Sequence, residues 1–208
     1  MQFRSSGVSD LPPVVKNLLI INGLVFLIKM LVQNSNSQYA EFYAYGALWP
    51  LDSGFFRVWQ PITYMFMHGN WSHIIFNMLT LWMFGRILEN YWGSKRFLQF
   101  YFICGVAAAG AHLLTSDASA VGASGAIMGL MAAFAYLFPN SELYLFFLPV
   151  PIKAKYVIPG LMALDIFGII YRGPGDNVAH WAHLGGALAG LVIVMYWNKS
   201  KGNRRNFY

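Results

Sequence analysis

Long apolar runs alternate with short polar connections along this chain, and the runs have the length that a bilayer demands. Six stand out, at residues 14–32, 71–90, 96–114, 122–138, 155–171 and 178–197. About 20 apolar residues in a helix cross a hydrocarbon core of roughly 30 Å. The pattern predicts an all-α fold, a polytopic bundle of six transmembrane helices. A short tail at 1–13 precedes the membrane domain at 14–197, and a basic tail at 198–208 follows it. The fourth run is short for a full crossing. Residues 33–70 break the pattern: nine aromatic residues between Phe42 and Phe66 are interleaved with Pro and Gly. Such a segment is expected to form a long first outer loop at the membrane–water interface, not a spanning helix.

Composition agrees. Of 208 residues, 57% are apolar and 11% charged, against about 25% charged in an average soluble domain. The single cysteine, Cys104, lies inside an apolar run, so it reads as a packing residue and no disulfide framework is expected. The net charge of +6 does not form a nucleic-acid patch, because the basic residues sit at the ends of apolar runs. Arg4, Lys16, Arg86, Lys95, Arg96, Lys153, Lys155, Lys199, Lys201, Arg204 and Arg205 fall on one side; Lys29, Arg57 and Arg172 fall on the other. This asymmetry predicts that both termini are cytoplasmic. Pro12-Pro13 precede the first run and no small-residue cleavage site follows it, so that run is expected to remain as an anchor. Both tails are too short to fold, so function is expected to lie in the membrane part.

With that topology, spans two, four and six all run from outside to inside. His68, His73 and Asn77, then Ser124, then His180 and His183 lie at the starts of those three spans. They should share one depth, in the outer half of the membrane and within reach of water.

Ser124 sits in Gly122-Ala123-Ser124-Gly125. An unpartnered hydroxyl in hydrocarbon costs a few kcal/mol, roughly. By itself this string fits a packing serine better than a reactive one, since the hydroxyl can bond back to a carbonyl. Its position at a helix start adds free N–H groups and the positive dipole end, which suit a developing negative charge. Gly122 and Gly125 permit a tight turn and close approach. Gly125-x3-Gly129 and Gly186-x3-Gly190 are paired small-residue motifs that can bring spans four and six together, delivering His183 to Ser124. His183 is either the general base or an interhelical hydrogen bond. His73 and Asn77, at i and i+4 on one face, are neutral donors suited to an oxyanion hole. His68 is read as an anchor that hydrogen-bonds the long loop, and His180 as an interfacial residue.

The same histidines, with His112, raise a metal or haem site as a rival reading. No HExxH is present and no acidic ligand lies close in sequence to the histidine pairs, so no metal and no cofactor are expected. No carboxylate accompanies His183 in its span, and no third member beside Ser124 and His183 is evident. Asp165, roughly 15 Å into span five, is expected to hydrogen-bond a neighbouring helix, its partner not named by the sequence. Glu89, with Arg86 at i−3, is expected to be a structural cap or ion pair.

His68-x4-His73-x3-Asn77, Gly122-Ala123-Ser124-Gly125 and Ala182-His183-x2-Gly186-x3-Gly190, in this order and on these spans, resemble the rhomboid intramembrane serine proteases. The resemblance runs from about Val14 to Trp197. It implies peptide-bond hydrolysis by a Ser124–His183 dyad, with His73, Asn77 and the Ser124 amide as oxyanion hole. It also implies single-span transmembrane protein substrates in membrane lipid. The six-span plan is similar to the basic bacterial form, which implies the inner membrane and a site opening to the outer face. The family often has Trp-Arg in the first outer loop, where this chain has Trp59-Gln60. Where some members place an aromatic residue four positions after the serine, Met128 stands here, suited to packing on the imidazole. The loop before span four and the segment Arg172-Gly173-Pro174-Gly175 are candidate mobile covers. A non-catalytic rhomboid-like protein that binds membrane clients is the alternative; such relatives generally lack the serine or the histidine, and both are present here.

Overall fold

Helices follow the apolar runs closely. A computed structural model describes residues 11–144, 150–171 and 178–204. Helix α1 covers Pro13–Val32, and Pro at the start suits the first turn, where an N–H would be unsatisfied anyway. The aromatic segment forms α2 (Asn36–Gly46) and the short α3 (Gln60–Thr63) with a tight turn at Tyr64–Phe66. Helix α4 (Trp71–Thr80) continues through a wider π turn at Leu81–Gly85 into α5 (Arg86–Trp92). Then come α6 (Ser94–Thr115), α7 (Ser124–Leu137), a small antiparallel pair of strands β1 (Glu142–Leu143) and β2 (Ile152–Lys153), α8 (Ala154–Ile170) and α9 (His180–Arg204). The segment Arg172-Gly173-Pro174-Gly175 lies outside the described residues, as does Asp176.

The centre of the bundle is α7. Every residue from Gly125 to Phe134 is buried, and α7 packs chiefly on α9 and α6. At 14 residues it rises about 21 Å. The outer faces carry Ile20, Leu24, Leu27 and Leu31 on α1, Leu164, Phe167 and Ile170 on α8, and Leu188, Val192 and Met195 on α9, all exposed. Apolar residues thus lie both inside and outside, as a helical bundle in lipid requires. By length and composition alone, Pro13–Val32 and Ser94–Thr115 qualify as membrane-crossing helices.

Two polar contacts pin α1 along α4 and α5. At one end, Lys29 Nζ donates to the carbonyl of Gly69. At the other, the buried Glu89 carboxylate accepts from the amides of Val14 (3.0 Å) and Val15 (2.8 Å) and from Ser94 Oγ (2.6 Å). Glu89 therefore caps a helix, but the helix is α1. Of the two expected roles the cap is the one observed, and the Arg86 guanidinium lies 5.0 Å from the Trp82 ring centre. The cap places negative charge where the α1 dipole and its orphan N–H groups need it.

The first loop is held by a neutral amide. Gln60 is fully buried; its Oε1 accepts from Trp49 N at 3.2 Å, and its Nε2 donates to the carbonyls of Ala44 (2.9 Å) and Phe55 (3.0 Å). The loop is then joined to the segment before α7. Leu48 and Ala120 exchange two backbone bonds, the Tyr64 carbonyl accepts from Gly122 N at 2.9 Å, and Tyr64 Oη donates to the Gly105 carbonyl at 2.7 Å. The interfacial loop thereby braces the turn that launches α7.

The substitution Glu89→Ala leaves two α1 amides without an acceptor. Thermal unfolding in detergent is expected to show a loss of about 2–4 kcal/mol, and Glu89→Gln a smaller loss because one acceptor oxygen remains.

Candidate active site

The starts of α4, α7 and α9 meet at one end of the bundle. Asn70 caps α4, its Oδ1 accepting from His73 N and from Ser72 Oγ, each at 2.8 Å. Gly122, at φ +130°, turns the chain into α7 beneath the His73 ring; a Cβ there would come within 2.7 Å of His73 Nε2. Only glycine suits both the backbone angle and the space. Ser124 follows as the first residue of α7.

Helices α7 and α9 touch through their main chains. A Cβ on Gly186 would collide with the Gly125 carbonyl, and one on Gly190 would lie 2.5 Å from the Gly129 carbonyl oxygen. On the α6 side, a Cβ on Gly129 would lie 2.6 Å from Cys104 Sγ, so the buried cysteine fills space. This seam brings His183 to the serine: Ser124 Oγ and His183 Nε2 are 2.8 Å apart.

His73 Nδ1 accepts a long contact from Gly69 N at 3.4 Å, which leaves the ring hydrogen on Nε2, over Gly122. Asn77 Nδ2 donates one hydrogen to the His73 carbonyl at 2.9 Å; the amide carries a second. His73, Asn77, Ser124 and Met128 line one groove of about 320 Å³, together with Phe76 and Thr80. His73, Ser124 and His183 also line a larger cavity of about 930 Å³ that reaches Tyr43, His112 and Val178.

Three expectations change. His68 anchors the loop only weakly: neither ring nitrogen has a partner at full hydrogen-bond geometry among the described residues, the Phe66 backbone is the loop group that acts on the ring, and the ring stands edge-on to His73 at 5.0 Å. Burial, reinforced by the neighbouring His73, pushes the His68 imidazole down to about 3, so it stays neutral near pH 7. Secondly, an acid does meet His183. Asp165 Oδ1 lies 2.9 Å from His183 Nδ1 and 2.7 Å from His180 Nδ1. The neighbouring helix expected to bond Asp165 is α9, and Met128 is not needed to orient the imidazole. Thirdly, His180 is part of this cluster and not a simple interfacial residue. Sequence reasoning missed the set because α8 and α9 are separate runs, with Asp165 and His183 18 positions apart. The available signal was an aspartate in an otherwise apolar helix.

The donor atoms of Asp165, His180 and His183 lie within 4.8 Å of one another, so these residues could offer three ligands to a metal. Their N···O separations of 2.7 and 2.9 Å are those of ordinary N–H···O hydrogen bonds, and ligation would have to break both. His112 is committed elsewhere, its Nε2 2.8 Å from the Ala118 carbonyl oxygen.

Apolar surface outside and a Ser–His pair beneath a polar cavity define a helical membrane protein with an internal site. The Rhomboid domain family model matches residues 56–200, and the chain belongs to the rhomboid family, whose members are membrane-embedded. It is 37% identical over 158 residues to Rhomboid-like protein 11, chloroplastic, of Arabidopsis thaliana (70% of this chain, 54% of that protein). It is 32% identical over 147 residues to Rhomboid protein 1, mitochondrial, of Saccharomyces cerevisiae (67% and 42%). To the Rhomboid protease GlpG of Photorhabdus laumondii it is 27% identical over 164 residues (76% and 55%). The chain thus spans about half the length of these relatives.

Substituting Gly186→Ala should force α9 off α7 and lower stability by about 1–3 kcal/mol in detergent unfolding. Gly23→Ala on α1, where a Cβ would meet nothing within 4 Å, should be near neutral and serves as the control.

Proposed function

We propose that this protein is an intramembrane serine endopeptidase. The observation that carries the reading is the 2.8 Å contact between Ser124 Oγ and His183 Nε2, at the head of the central helix and facing a cavity of about 930 Å³. His183 takes the Ser124 proton as the hydroxyl attacks a peptide carbonyl, and returns it to the leaving amine. Water in the cavity then hydrolyses the acyl-enzyme. The developing oxyanion is held by His73 Nε2–H, the second Asn77 amide hydrogen and the Ser124 N–H at the α7 dipole end. Gly122, Gly125, Gly186 and Gly190 support this geometry through backbone approach. Met128 borders the groove that receives the substrate, and His68 buttresses His73.

The substrates in this reading are single-span transmembrane proteins. Six helical spans cross the bacterial inner membrane with both termini cytoplasmic, and the site opens to the outer face. The side preferred by basic residues and the shared end of α4, α7 and α9 support this orientation. The bacterial relative named a protease supports the activity.

Ser124→Ala and His183→Gln should each abolish cleavage of a single-span reporter in liposomes, and a fluorophosphonate should label the parent chain at Ser124. Cleavage undiminished in the Ser124→Ala variant would sink the assignment; a folded parent that neither cleaves nor labels would favour client binding. Asn77→Ala should lower kcat by about 10–10³-fold.

A further inference from the structure

The proposed chemistry uses Ser124 and His183 but leaves one partly buried ion-pairing cluster unexplained. Asp165 is the sole acidic residue of α8, and α8 buries little else: Ala154, Ile158 and Asp165. A carboxylate in an apolar helix is retained only with strong partners. Here both partners are imidazoles from the first turn of α9. The His183 ring is bonded on both sides, Nε2 to Ser124 Oγ at 2.8 Å and Nδ1 to Asp165 Oδ1 at 2.9 Å. His180 Nδ1 reaches the same carboxylate oxygen at 2.7 Å. His180 is in turn seated on a glycine, since a Cβ on Gly168 would collide with its ring.

The geometry points to Asp165 as a positioning residue that makes the site a Ser124–His183–Asp165 triad, with His180 holding the carboxylate in place. This rests on the reading of Ser124 as nucleophile and His183 as base. A carboxylate accepts and does not donate, so His183 must carry its neutral-state hydrogen on Nδ1. Nε2 is then left with the lone pair that accepts the serine proton. When that proton moves from Oγ to Nε2, as Oγ bonds the carbonyl carbon, the imidazolium faces a fixed negative charge. The second bond, from His180 Nδ1–H, restrains rotation of the carboxylate. The tautomer is therefore set by an acid on a different helix.

The test uses the full chain in liposomes, with kcat expressed per fluorophosphonate-titratable Ser124. Asp165→Asn keeps the shape but removes the charge, and its amide can donate to Nδ1 and so favour the wrong tautomer. The expected result is a fall in kcat of about 10²–10⁴-fold, with KM within about threefold and slower labelling of Ser124. His180→Gln should lower kcat by a smaller factor, about 2–10-fold, as a lost orienting contact. Asp165→Asn that retains kcat per titrated site within about twofold overturns the proposal and leaves Asp165 as a helix-docking residue. Should that variant fail to fold, ¹⁵N-histidine NMR of the unsubstituted chain decides. Neutral His183 protonated on Nδ1 supports the triad, and protonation on Nε2 overturns it. Activity lost to a chelator and restored by zinc also overturns it, since Nδ1 cannot both bind metal and donate to Asp165. A parent chain without cleavage or labelling defeats the protease reading itself, while the NMR result still reports on the Asp165–His183 pairing.

Discussion

Everything at the candidate site depends on how closely α7 and α9 approach. Gly125, Gly129, Gly186 and Gly190 remove the side chains from the seam, and the carbonyls of one helix lie where Cβ atoms of the other would be. The separation of Ser124 and His183 is thus fixed by main-chain contact, which has few soft degrees of freedom. Side chains on both helices then need only to be correct at their first turn. The cost of glycine in a helix interior is offset here because α7 is enclosed over almost its full length.

Around this seam, polar groups do the work that water does elsewhere. Glu89 satisfies amides of α1, Gln60 satisfies carbonyls of the first loop, and Tyr64 links that loop to α6 and to the turn before Ser124. Each acts across a large sequence distance. In an apolar surrounding such groups find no substitute partner, so they tie elements together more firmly than their number suggests. Gln60 holds the first loop with a neutral amide, through bonds to Trp49, Ala44 and Phe55.

Much of this was legible in the residues. Apolar runs of near-bilayer length marked the helices, because lipid leaves backbone groups no alternative to internal hydrogen bonds. Ser124, His183, His73 and Asn77 were legible because polar side chains at the starts of apolar helices are expensive and so informative. The helical α2 and the π turn at Leu81–Gly85 were not: the first is set by tertiary contacts with the loop, and the second changes local register without changing the apolar pattern. Asp165 was visible as an anomaly but not as a partner of His183. Its contact depends on how α8 lies against α9, and apolar periodicity carries no information about that. Glu89 was seen as a cap, but the helix it caps lies 74 residues away along the chain.

The shortness of α7 has a further consequence. A helix of 14 residues reaches only part of the way through a hydrocarbon core of about 30 Å, so its first N–H groups would be stranded in oil if the bundle were closed above them. Those donors need polar partners, and the cavity of about 930 Å³ at the head of α7 gives water room to supply them. Hydration of the helix head and stabilisation of a carbonyl oxygen ask for the same outward-pointing N–H groups. In the proposed reading, the cavity thus serves the folding of α7 as much as the chemistry at its head.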